Sequence, residues 1–212
     1  MHKIHAYWSK TTDETVTVPA RLRPGTIGSP FHTHGTHMPR QPKPHQSDPA
    51  AWCQLNAQVE LQHIELELRN GRAQHMRSFV DQYYCYKNGH MNSRGRASWD
   101  VVVWKGLVSV EARELGDRKQ VVKEHLVPIR VITKMLTALA ASPEFSLESI
   151  ATTLDRYVRF ATISKREDRL LRQHGFNSAM PEEFRDDCSV AEDDLLCRYR
   201  AVGIALEASS AG

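Results

Sequence analysis

The chain has 212 residues, 41% hydrophobic and 25% charged, with a formal charge of +3. This is ordinary globular usage, enough to bury the core of one domain or of one domain with an appended arm. No apolar run approaches the ~20 residues of a membrane span. The start, Met1-His2-Lys3-Ile4-His5, lacks the apolar stretch of a secretory signal. Cys53, Cys85, Cys188 and Cys197 form no C-x-x-C pair, which implies a reduced, cytoplasmic setting.

Residues 1–48 hold Pro19, Pro24, Pro30, Pro39, Pro42 and Pro44 and little periodicity, so they read as an extended arm. Within it, the alternation Glu14-Thr15-Val16-Thr17-Val18 suits a short strand. His32, His34 and His37 in a Gly-containing loop suit adventitious metal binding, because a proline-rich neighbourhood offers no rigid frame.

From residue 49 the pattern is helical. Asp48 is a good N-cap and Pro49 a good first residue, with Trp52, Leu55, Val59 and Leu66 at helical spacing. Leu61, Ile64 and Leu68 widen the stripe, and Gly71 ends it. A second helix is expected over 72–87, with Met76, Phe79, Val80, Tyr83 and Tyr84 on its buried side. Residues 98–110 have strand composition but helical spacing, and a helix capped by Ser98 is expected. Then follow a turn at Gly116-Asp117-Arg118, a strand over 120–127, and helices over 130–141 and from Ser146 to Tyr157. Val158–Ile163 alternates as a strand, and Ser164 with Glu167 forms a capping box for a helix closed by Gly175. Leu195, Leu196, Tyr199, Val202 and Ile204 supply late anchors. The fold expected is mainly α with a few short strands (α+β): a single helical domain over 49–212 carrying an extended N-terminal arm over 1–48.

Charge is uneven along the chain. Residues 69–134 hold thirteen Lys/Arg against six Asp/Glu, whereas residues 142–212 hold nine against thirteen. A basic middle suits a phosphate-bearing partner, and complementarity between the two parts is the alternative. Arg94 and Arg96, near Lys87, His90 and Trp99, make the best local phosphate contact. Arg113, Arg118, Lys119 and Lys123 extend the positive charge toward Glu124 and His125.

An acid and an imidazole side by side at the end of an apolar run can divide metal holding and proton abstraction between them. The stretch Glu124-His125-Leu126-Val127-Pro128, followed by a helix, resembles the first motif of the HNH, or ββα-metal, nucleases. The resemblance implies His125 as general base and Glu124 as ligand of a divalent metal, magnesium or manganese. The helix after Pro128 carries no His, Asn, Asp or Glu, so Asp117 or Asp168 is the expected second ligand. The alternative is a hydrogen-bonded surface pair flanking a core strand. Gly116-Asp117-Arg118, Ile163–Asp168, Met180-Pro181 and Arg198-Tyr199 also give a looser resemblance, over about 95–205, to uncharacterised bacterial and phage proteins.

Two functions are therefore expected in competition. One is a metal-dependent nuclease acting on DNA or RNA. The other is a non-catalytic phage or mobile-element protein that binds a nucleic-acid-handling complex, with the arm as a docking element for a protein partner and no membrane role.

Overall fold

The computed structural model describes residues 43–184 and 195–209. The chain divides into Met1–Arg40 and Gln41–Gly212, and the described residues all belong to the second unit. The expected strand at 14–18 and the His32, His34 and His37 group lie outside the described residues. Helices predominate and one small sheet runs among them.

Pro44–Ser47 forms a single helical turn, α1, inside the span assigned to the arm. The next helix, α2 (Pro49–Arg69), starts as its sequence dictates: the Asp48 carboxylate accepts the Ala51 N–H at 2.9 Å. Its buried stripe, however, runs through Cys53, Ala57, Leu61, Ile64 and Leu68. Leu55 and Leu66, expected inside, are 59% and 55% exposed. The next helix, α3 (Met76–Lys87), packs along it and buries Met76, Val80, Tyr83, Cys85 and Tyr86.

The helix expected over 98–110 does not form. Residues 99–106 turn irregularly and Leu107–Ser109 is a strand, β1. Packing explains the difference. Val102 joins the main core, while its neighbour Val103 joins a second cluster with Val108, Ala112 and Val121. The neighbouring valines are divided between the two clusters by a chain that turns irregularly and then enters β1. Trp104 takes a left-handed φ of 71° there, and its N–H donates to Thr162 Oγ1 at 3.1 Å.

The remaining elements alternate. A short helix α4 (Val110–Leu115) ends at Gly116 in the left-handed region, φ 59°. After a 3-10 turn at Arg118–Gln120 come β2 (Val121–His125), α5 (Ile129–Ala140), α6 (Leu147–Tyr157) and β3 (Phe160–Ser164). The capping box opens α7 (Lys165–Gln173): Ser164 Oγ accepts the Glu167 N–H, and the Glu167 carboxylate accepts the Ser164 N–H. Finally α8 (Cys197–Ala201) leads to β4 (Leu206–Ala208), a strand its sequence did not announce. The sheet order is β2-β3-β1-β4, with β1 parallel to β3 and the outer pairs antiparallel. Among the described residues no helix is long and apolar enough to cross a membrane.

The side chain that fixes these parts together is Arg198, which is 0% exposed. Its guanidinium donates to the carbonyls of Leu126, His125 and Phe176, to Glu124 Oε1 at 2.9 Å, and to the Tyr199 hydroxyl at 2.9 Å. Removing one member of a buried pair strands the other without compensation. Arg198→Ala is therefore expected to cost about 3–5 kcal/mol, read from urea denaturation. A loss below about 1 kcal/mol, the scale of an exposed pair, would contradict this assignment.

Candidate functional site

Side chains alternate along a strand, so β2 sends Val121, Lys123 and His125 to one face of the sheet and Val122 and Glu124 to the other. The adjacent acid and imidazole thus enter separate environments. His125 faces α3: its Nε2 lies 2.9 Å from Asp81 Oδ1, and its ring centroid lies 4.4 Å from that of Phe160. Because a carboxylate accepts, Nε2–H is the donor. The ring is 3% exposed. Burial pushes its pKa below the ordinary value, and Asp81 opposes that shift.

Glu124 turns the other way, into the Arg198 guanidinium. Asp168, on α7, is paired with Arg172 at 3.1 Å. Glu124 and Asp168 both oppose ionisation of Tyr199, although burial is the main cause of its raised pKa. Asp117 is elsewhere. Its carboxylate caps the 3-10 turn, accepting the Lys119 N–H at 2.8 Å and the Gln120 side-chain amide at 3.2 Å. That backbone hydrogen bond, first among its causes, lowers the Asp117 pKa.

The residues therefore do not fit the divalent metal that the HNH resemblance implies. Glu124, Asp117 and Asp168 each have partners of their own, and Asp117 serves a different turn. Among the described residues no three His, Cys, Asp or Glu side chains gather as a metal would require. The His125 ring is 3% exposed and its Nε2 is engaged by Asp81, whereas a general base must reach a water.

Lys123, expected as a phosphate contact, also lies inward. Its ammonium rests on the Trp99 ring and 4.3 Å from the Phe160 centroid. Burial lowers its pKa to about 8, while Asp81 and Cys85 pull it up. Cys85 is fully buried beside it, its thiol pushed up to about 12, so it is an inert core thiol. Arg113 is tied to Glu207 and the Ala208 carbonyl, and Arg118 to Asp100 at 2.9 Å. Lys119 is exposed beside the turn capped by Asp117.

Arg94 and Arg96 meet the expectation differently: they stand exposed on a braced turn. The Met91–Ala97 bridge closes a hairpin, and the Gly95 N–H donates to the Asn92 carbonyl at 2.9 Å. Gly95 has φ 74°, a conformation that suits glycine. Asn92 Oδ1 accepts the N–H groups of both arginines, at 2.9 and 3.2 Å. The Trp52 indole donates to the Gly95 carbonyl at 2.9 Å and pins the tip to α2. Among the described residues no carboxylate pairs with either guanidinium. Lys105 lies near enough to His90, just before the hairpin, to help lower its pKa, for which burial is the main cause. The spacing Asn92-x-x-Gly95 could have announced the turn; nothing local announces the clasp from Trp52, 43 residues earlier.

Two measurements check this geometry. Lys123 is a base with a depressed pKa, so between about 8 and 10.5 the unfolded chain holds more protons and stability rises with pH. The melting temperature of wild type relative to Lys123→Met is expected to climb across that window. A flat or falling difference would mean that the amine is not held in a desolvated site. Trp52→Phe keeps the packing but loses the anchoring hydrogen bond, at a cost of about 1 kcal/mol. Faster amide exchange confined to residues 92–97 is the expected signature; unchanged exchange there would mean the anchor does not hold the turn. Compared with known proteins, the chain matches no family model, no curated protein and no solved structure.

Proposed function

We propose that this protein binds nucleic acid without cleaving it, using the braced Arg94–Arg96 turn as its phosphate contact. The observation that carries this reading is the pair of guanidiniums held on a turn clasped by Asn92 and Trp52. Exposed arginines that have no carboxylate partner among the described residues, carried on a fixed backbone, approach phosphates without a backbone ordering cost, and arginine's planar fork suits bidentate contact with a phosphate. Lys105 and Lys119 add exposed positive charge.

Glu124 and His125 then have a structural role. One closes the buried guanidinium network and the other ties β2 to α3 through Asp81. Of the two expected functions, the non-catalytic one accounts for these contacts. A partner that handles nucleic acid is compatible with it.

The test is binding of a fluorescent duplex, followed by anisotropy across a salt series. Arg94→Ala with Arg96→Ala is expected to weaken binding about tenfold and to reduce the log K against log salt slope by about two. Binding unaffected by the double substitution would refute the assignment. The same protein is expected to leave plasmid and RNA intact in magnesium or manganese. Metal-dependent cleavage that disappears in folded His125→Gln would restore the hydrolytic reading.

A further inference from the structure

Among the described residues, Leu55 and Leu66 are the most exposed large apolar side chains, at 59% and 55%. They stand eleven residues apart on α2, about three helical turns, and so share one face. Val59 and Gln62 fall between them on the same line. Other sides of α2 pack against α3, α5 and α6, which leave both leucines open.

The face is also uncharged. Between Pro49 and Ile64 the one Asp, Glu, Lys or Arg is Glu60, and it is buried. Ala51, Gln54, Gln58 and Gln62 are exposed beside the leucines, in a chain that is 25% charged overall. A helix face meant only for water carries charge. Leucines set among neutral amides suit a protein surface of the same kind.

The spacing selects which surface. Leu55, Val59, Gln62 and Leu66 are separated by four, three and four residues, the same in either direction. A second α2 laid antiparallel about the midpoint sets Leu55 on the partner's Leu66 at both ends, and Val59 on the partner's Gln62. Charge agrees with that direction. Asp48 is exposed two turns before Leu55, while Arg69 and Arg72, 58% and 55% exposed, lie beyond Leu66. Antiparallel helices bring the acid of one copy toward the arginines of the other and oppose their dipoles favourably, whereas parallel helices would set like charges together. Arg69 and Arg72 already have Glu65 and Glu67 as partners, so charge sets the direction and the leucines supply the contact. A helix of 21 residues is about 30 Å long and about 10 Å wide, so the paired faces bury less than the roughly 1,200 Å² of a stable complex.

We propose that the outer face of α2 is a self-association surface, where two copies of this chain pair antiparallel about a two-fold axis between Val59 and Gln62 as a weak dimer. This is independent of the nucleic-acid-binding reading.

Sedimentation equilibrium of the full chain, without nucleic acid, tests it from micromolar to millimolar concentration. The mass of wild type is expected to climb from 24.1 kDa toward twice that value. Leu55→Glu and Leu66→Lys, both at exposed positions, are each expected to weaken self-association about tenfold by setting a charge against a leucine. Mixed in equal amounts, the two variants regain it, because the new carboxylate of one meets the new ammonium of the other. Both substitutions in one chain likewise restore pairing, whereas in parallel helices they would repel. Circular dichroism checks that every variant folds. A chain that stays at 24.1 kDa throughout, self-association indifferent to both substitutions, or single variants that fail to recover on mixing would each overturn the proposal. Altered proteolysis within residues 1–42 of a monomeric Leu55→Glu variant would assign the face to the amino-terminal segment and overturn it equally.

Discussion

A buried guanidinium sets the terms for this fold. Arg198 has no contact with water, so each of its donors must find an acceptor inside the protein. It finds them on the last residues of β2, on the segment after α7, and on Glu124. These acceptors converge only when the strand, the helix that follows β3, and the late helix α8 are all in place. The hydroxyl of Tyr199 completes the set by donating to the His125 carbonyl at 3.1 Å. The backbone carbonyls just past the β2–β3 pairing are thereby satisfied without another strand. An ion pair of this kind contributes little net stability over an apolar replacement, but it strongly penalises any arrangement that leaves one member alone.

The same network decides what Glu124 and His125 can do. Adjacent residues on a strand face opposite ways, so their proximity in sequence becomes separation across the sheet. A short motif is read along the chain, whereas a reaction is carried out in space. Here the intervening backbone assigns one side chain to a guanidinium and the other to a carboxylate on a helix. Exposed positive charge stands instead on a hairpin whose arginines have no competing acids among the described residues.

Much of the secondary structure was legible because its signals are local. Asp48 with Pro49, and Ser164 with Glu167, are capping arrangements set within three or four residues, and both helices begin as those signals require. What failed depended on distant partners. Helical spacing at Trp99, Val102 and Val103 lost to the demand of two separate clusters for neighbouring valines. The buried stripe of α2 runs through Cys53 and Ala57 before reaching the expected Leu61, Ile64 and Leu68, and it leaves Leu55 and Leu66 outside. β4 needed β1 as a template, and its three residues carry little pattern alone. For the site, Arg94 and Arg96 could be named from composition, but Trp52 as their anchor and Arg198 as the partner of Glu124 could not, at separations of 43 and 74 residues.

The position of β4 has a consequence for synthesis. It pairs antiparallel with β1, which was made about a hundred residues earlier, and Arg198 precedes it by only a few positions. While the ribosome is still making residues 165–195, β1 has one unpaired edge and the carbonyls of His125 and Leu126 lack their donor. Such a nascent chain exposes a strand edge and unsatisfied polar groups, the features that invite mispairing with other chains. The domain must therefore close after most of it has emerged, in a final step that adds its outer strand and its central cation together.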